Sequence, residues 1–354
     1  MASSKMEEDE AVLRIRQNPR AFFSFCRSRS KIQAKVGPFI DPTTGKSNPD
    51  PNFSAECLRN QYDSVFSVPR KEWSVHNPEE FFTPKPTPKP GESEPGVLDD
   101  IVFTAKDIEQ ACSELRSNAA AGPDGVPAAL LKTCRKHLAK PLYFLWRASL
   151  DSGTIPPELL LVLITPLHKG GSRAIPKNYR PVALTSHLIK VFERVIRRSL
   201  VNHMDKLNIL PNDQHGSRAM RSTLTQLLAH WDSILDGLEE GAGVDVIYLD
   251  FSKAFDKVEH GVLLHKLRDS KVQGKVGVWL ARFLDSAARQ QAVAVDGRVS
   301  DLSPVKWCPS GHSIGTHSLP TTHLGHCQRS VSKYISEVLC RRHQSATLYP
   351  GQYL

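Results

Sequence analysis

The chain has 354 residues, and 46 Lys and Arg against 37 Asp and Glu leave a formal charge of +9. With 40% hydrophobic and 23% charged residues it has the balance of a globular protein and not of a disordered one, and its length suits one large or two ordinary domains. No run of about 18 apolar residues occurs, so the sequence excludes a helical membrane span. The start, Met1 to Glu10, has neither the apolar centre of a secretory signal nor the Arg-rich, acid-poor character of a transit peptide. Seven cysteines, an odd number without zinc-like pairing, speak against a disulfide framework and for a reducing compartment, nuclear or cytoplasmic.

In chain order, residues 1–76 alternate short helical patterns with turns such as Asp41–Gly45 and Asn48–Pro51, and the pattern Arg14–Phe25 reads as a helix broken at Pro19. Residues 83–96 place proline at every second position from 84 to 90, which predicts an extended linker rather than a packed element. Thr104 and Asp107 predict a capping box ahead of Ile108, Ala111 and Leu115 at helical spacing. The loop Ala120–Val126 is turn chemistry, and a long helix is expected from about Pro127 to Leu150. Leu159–Leu167 and Pro181–Thr185 read as two strands of a hairpin, followed by helices over 186–206 and 220–239. Val244–Asp250 is a β-rich run that ends on an acid and leads into a helical pattern.

The positive charge is not spread evenly. Residues 162–222 hold 11 basic and 3 acidic side chains, so +8 of the excess sits in one stretch. Concentrated positive charge is the footprint of a polyphosphate partner, although a solvated basic helix face gives the same count. The cluster Arg194–Arg198 fits such a helix better than a nuclear import signal. Asp250, at the end of its apolar run, is placed either to hold a hard divalent cation or to cap the next helix, and this segment alone favours the cap.

Five segments in order carry more than any one of them: Ala121-Gly-Pro-Asp-Gly, Ile164-Thr-Pro-Leu-His-Lys169, Asn178-Tyr-Arg-Pro-Val-Ala-Leu184, Gln214-His-Gly-Ser-Arg218 and Tyr248-Leu-Asp-Phe-Ser-Lys-Ala-Phe-Asp256. Over about residues 100–305 they resemble the reverse transcriptase domain of non-LTR (LINE-type) retrotransposons, and the N-terminal portion resembles the connecting region ahead of it. The resemblance implies an RNA-directed DNA polymerase that uses an RNA template, a DNA primer, dNTPs and Mg²⁺. It makes Asp250 the first catalytic, metal-binding aspartate, with the carbonyl of Phe251 as a further ligand. Phe255 matches the aromatic that excludes a ribose 2′-hydroxyl, and Lys169 and Arg180 match the residues that grip the incoming triphosphate. Gln214, Gly216 and Arg218 match a template-side motif in which Ser217 replaces the usual aromatic; Asp256 is expected to be structural.

Two family motifs are missing: a Gly-x-Pro-Gln-Gly loop and the Ala-Asp-Asp hairpin that completes a two-metal clamp. After Val305 the texture changes, with one acid (Glu337), five of the 14 histidines and three of the seven cysteines in residues 306–354. Cys308, His312, His317, His323, His326 and Cys327 permit a zinc reading. A frame shift accounts for more. Back-translated and read one base later, Trp307–His317 can encode Gly-Val-Pro-Gln-Gly-Thr-Val-Leu-Gly-Pro, and Glu337–His343 can encode Lys-Phe-Phe-Ala-Asp-Asp-Thr. Both lost motifs fall in one frame and in the right order, which places a frameshift near Val305–Lys306.

The expected architecture is α+β: the fingers (about 105–240) and the start of the palm (about 241–305) of a right-hand polymerase, helices on a mostly antiparallel sheet, with no thumb. The expected organisation is a connecting region at 1–82, a linker at 83–96, a partial polymerase domain at 97–305 and an out-of-frame tail at 306–354. Little or no polymerisation is expected of such a chain, and an RNA-binding remnant or a functionless product are the other readings.

Overall fold

A computed structural model of the chain describes residues 36–305 apart from 42–43, 66–69, 84–95, 211–212, 214, 217, 219, 242, 247 and 249–257. The helical pattern expected at Arg14–Phe25 and the tail therefore lie outside the described residues. The turn expected at 41–45 joins β1 (Phe39–Ile40) to β2 (Ser47–Asn48), with Gly45 N donating to Asp41 O at 2.8 Å. Asp50 then caps α1 (Pro51–Asp63) by accepting from Asn52 N. A short α2 (Pro78–Phe81) follows, and α3 (Ala105–Ser113) opens on the expected capping box between Thr104 and Asp107.

The long helix expected from Pro127 is instead two helices, α4 (Ala128–Thr133) and α5 (Arg135–Ser152). They meet at Cys134, where His137 N donates back three residues to Cys134 O. No side chain caps the restart of α5, so nothing in the composition marks the break. The hairpin expected at 159–185 forms as β3 (Val162–His168) and β4 (Tyr179–Leu184), antiparallel with Leu167 opposite Arg180. Pro157–Leu159 takes a tight helical turn, so the strand starts later than its apolar run. Helices α6 (His187–Lys206) and α7 (Thr223–Glu239) match their patterns, each with a serine cap, Ser186 and Ser222. The β-rich run does not become a strand at its described residues, 244–246 and 248. After it come α8 (His260–Asp269), α9 (Gly274–Leu284), β5 (Gln290–Val295), β6 (Arg298–Val299) and β7 (Ser303–Pro304).

The main sheet runs β4-β3-β5-β6 with β7 on β5, and only β3 and β5 are parallel. The chain is thus α+β with a mostly antiparallel sheet, as expected. One apolar cluster packs the helices around a ring column: Trp146 stacks on Phe192 at 4.8 Å, and Trp279 meets Phe192 edge-on at 5.2 Å. The indole N–H of Trp279 donates to Ser149 Oγ at 3.0 Å, so the ring's one polar atom is satisfied inside the core. A second cluster lays Phe39, Ala55, Leu58 and Tyr62 over the inner sheet face formed by Val162, Ile164, Tyr179, Val293 and Val295. The segment ahead of the Pro-rich stretch is therefore built into both clusters, since Phe82 also lies fully buried in the first.

Candidate nucleic-acid interface

Strand alternation sets the chemistry of the β3–β4 hairpin. Val162, Ile164 and Tyr179 point into the second cluster, which leaves Thr165, Leu167, Arg180 and Val182 on the outward face. Leu167 is 58% exposed on that face. Lys169 continues the outward row one step past the last strand pair, its N–H donating to Asn178 O at 2.9 Å. Both predicted phosphate-gripping residues, Lys169 and Arg180, thus sit exposed at the tip of one hairpin face. Residues 162–184 also carry Arg173 and Lys177 and not one acid. Among the described residues neither Lys169 nor Arg180 forms an ion pair, so a point charge and a planar fork remain available to an outside anion.

The tip of the hairpin is held from within. Asn178 Nδ2 donates to Ser172 O at 2.8 Å, and the Tyr179 hydroxyl donates to Arg173 O at 3.0 Å while accepting from Gly37 N at 3.1 Å. The Tyr179 ring stands edge-on to Phe39 at 5.5 Å, which ties the tip to the N-terminal hairpin. A basic loop would repel itself open without such anchors.

The Ala-Gly-Pro-Asp-Gly motif has a structural explanation that turn chemistry alone did not supply. It docks on the junction between β4 and α6. Ser186 Oγ donates to Asp124 Oδ2 at 2.5 Å, Val126 N donates to Asp124 Oδ1 at 3.2 Å, and the ring of His187 donates to Ala120 O at 3.0 Å. A Cβ on Gly122 would stand 2.6 Å from the carbonyl of Thr185, so only glycine lets the two backbones meet. Burial, and after it the nearby Lys190, push the His187 imidazole below its usual range. Lys190 is pushed down chiefly by burial, with Glu193 opposing the shift.

The template-side motif divides. Gln214 and Ser217 lie outside the described residues, whereas Arg218 turns its guanidinium to Asp205 at the end of α6 (3.1 Å), its side chain only 17% exposed. His215 does the positioning, a role the sequence reading did not assign. Arg221 can only donate to its Nε2, at 3.0 Å, so Nδ1–H donates to Thr225 Oγ1 at 2.7 Å in the cap of α7. That arrangement ties His215 to Arg221 and to the start of α7. A histidine one residue from a motif glutamine gives no signal of this in sequence, because the partners lie six and ten residues away.

Asp250, Phe251, Phe255 and Asp256 lie outside the described residues, as do the six histidines and cysteines of the zinc reading. The Asp-Asp pair at 99–100, the one such dipeptide in the chain, is used structurally: Asp100 pairs with Arg147 and Lys275. Among the described residues no group of three His, Cys, Asp or Glu side chains is arranged to hold a metal. The donors that the resemblance assigns to Mg²⁺ are one carboxylate and one carbonyl, and these do not make the bridging set that two ions need. No described helix is long and apolar enough to cross a membrane.

The family model described as reverse transcriptase (RNA-dependent DNA polymerase) matches residues 167–319. That span contains Lys169, Arg180, the 214–218 motif and the Asp250 segment, and it starts within β3. These residues belong to the reverse transcriptase family. The chain is 30% identical over 164 residues to "Probable RNA-directed DNA polymerase from transposon BS" of Drosophila melanogaster, covering 46% of this chain and 18% of that protein. It is 26% identical over 214 residues to "RNA-directed DNA polymerase from mobile element jockey" of the same species, covering 60% of this chain and 23% of the relative. The chain spans about a fifth of the length of these relatives. The reverse transcriptase domain is of the LINE type that such mobile elements carry.

Proposed function

We propose that this chain carries the fingers and first part of the palm of a LINE-type reverse transcriptase, whose hairpin binds polyphosphate while its polymerase chemistry is lost. The observation that carries the reading is the outward row of Lys169 and Arg180 on a hairpin without acids. In the parent activity that row would hold the triphosphate of a dNTP while RNA template and DNA primer cross the palm. Gln214 and Arg218 would serve the template side, Arg218 by fixing its loop through Asp205. Phe255 would screen the sugar. Asp250 and the Phe251 carbonyl would be the remnant of the Mg²⁺ site. The boundaries follow: 1–82 leading in, 83–96 linking, 97–305 the partial domain, 306–354 read out of frame. The family match runs into residues 306–319, so the coding DNA must be read across that join.

One carboxylate does not clamp the attacking and leaving oxygens of an in-line displacement. Incorporation of labelled dNTP on a primed RNA template should therefore stay at background, and incorporation above it would refute the loss of activity. RNA binding tests the rest. It should weaken steeply with salt and weaken further in Lys169→Gln, Arg180→Gln. Binding that is indifferent to both changes would remove the hairpin from the interface. Sequencing of the coding DNA tests the frameshift separately: the +1 frame from codon 306 must encode both lost motifs.

A further inference from the structure

Helix α5 buries Ala139, Leu142, Trp146 and Leu150 on one side. On the other side Lys136, Lys140 and Phe144 stand exposed, each about 6 Å up the axis from the last, with His137 exposed beside them. At 3.6 residues per turn these four share about 100° of arc, away from the buried positions. Residues 127–150 hold five basic side chains and no acid. Three of the five are used inside the fold: Lys132 Nζ donates to Leu115 O at 3.2 Å, Arg135 pairs with Glu109 at 3.7 Å, and Arg147 pairs with Asp100 and Asp151. Among the described residues Lys136 and Lys140 form no ion pair. Phe144 is 58% exposed, yet its ring is braced from the core. It stands edge-on to Tyr143 at 5.4 Å, and Tyr143 stands edge-on to the buried Phe103 at 5.5 Å. Pro141 brings no N–H into the helix, so the His137 carbonyl lacks the donor that a helix normally supplies.

We propose that this side of α5 binds an unpaired nucleic-acid strand, with Lys136 and Lys140 on its phosphates and a base stacked on Phe144. A positive track beside an aromatic platform is what a single strand recognises, because every base has a π-face whatever the sequence. The His137 carbonyl is an acceptor for a base amino group or a sugar hydroxyl. An acidic peptide would satisfy the two lysines and leave the braced ring without a use. A duplex would satisfy them too, but it keeps its bases stacked within itself. The surface precedes residues 167–319, the span of the family match, and it is separate from Lys169 and Arg180. It goes beyond the hairpin reading and does not require it.

The test measures binding of the full chain to a labelled oligoadenylate and to an abasic ribose-phosphate strand of the same length. Phe144→Leu should weaken oligoadenylate binding at least about fivefold and leave abasic-strand binding unchanged, and Phe144→Trp should restore the loss. The pair Lys136→Gln, Lys140→Gln should flatten the slope of log affinity against log salt by about 1.4 on both strands. All these changes are on exposed positions and should leave the thermal midpoint unchanged. Oligodeoxyadenylate in place of oligoadenylate tells whether RNA or DNA is the better ligand. The same α5 changes made together with Lys169→Gln, Arg180→Gln separate the two surfaces. If the hairpin pair binds like the parent while the α5 variants do not, the hairpin reading fails and this one stands; the reverse result overturns this one alone. Equal losses on both strands in Phe144→Leu, or competition by polyglutamate as effective as that by oligoadenylate, would also overturn it.

Discussion

The β3–β4 hairpin and helix α7 both present a bare face to solvent, and the two faces differ in what they can tolerate. The hairpin exposes Lys169 and Arg180, which water solvates readily, and its other face is sealed by Phe39, Leu58 and Tyr62. Helix α7 exposes leucines and a tryptophan, which water does not reward, and among its buried positions only His230 is found. A polar face left open is a site; an apolar face of this breadth left open is an interface without its second half.

That contrast can be broken most strongly at the shared core. Phe192 lies between Trp146 and Trp279, and α6 leaves β4 directly through Ser186, so the hairpin depends on it. Phe192→Ala should cost about 3–5 kcal/mol in urea unfolding, whereas Leu228→Ala on the bare stripe should stay within about 0.5 kcal/mol. Equal losses would show that the stripe is already packed. Next in size is Gly122→Ala, which forces the Asp124 loop off the Thr185 backbone and should cost about 1–3 kcal/mol. Because that loop fixes the β4–α6 junction, RNA affinity at fixed salt should fall with it. A smaller effect separates charge from packing. The pair Lys169→Gln, Arg180→Gln should leave the thermal midpoint unchanged and flatten the slope of log affinity against log salt by about 1.4, from roughly 0.7 per phosphate contact on a single strand.

Much of the fold was legible because local chemistry and packing agree. Thr104 with Asp107 and the proline-bounded apolar run at 159–167 each specify an element without outside help, whereas Asp50 before Pro51, read as part of a turn, caps a helix. What was not legible depended on partners distant in sequence. The break at Cys134 has no capping residue to announce it, and the β-rich run at 244–250 has strand composition but no neighbour to pair with among the described residues. In the candidate site, Lys169 and Arg180 came from the family resemblance, and only the register of the hairpin shows that they share one outward face. Arg218 was readable as a motif member but not as the partner of Asp205, thirteen residues away. His215 was readable as neither.

The smallest expected effect concerns acid, and it falls on the helical body that both faces share. Asp151 at the end of α5 is hydrogen-bonded by Arg147 and Lys275, which hold its carboxyl well below the usual carboxylate range. Its folded pKa is depressed relative to the unfolded value of about 3.9, so its contribution is present above that pH and is lost as pH falls below it. The Asp151 side chain is itself exposed, which keeps the effect small. Asp151→Asn should lower the urea midpoint slightly at pH 6, and it should make the further decline from pH 5 to pH 3 shallower than in the parent chain. An unchanged slope would mean that the ion pairs between α5, α9 and Asp100 are screened in solution. The hairpin face proposed to bind phosphate, which has no carboxylate to titrate, should keep its salt dependence across the same range for as long as the body stays folded.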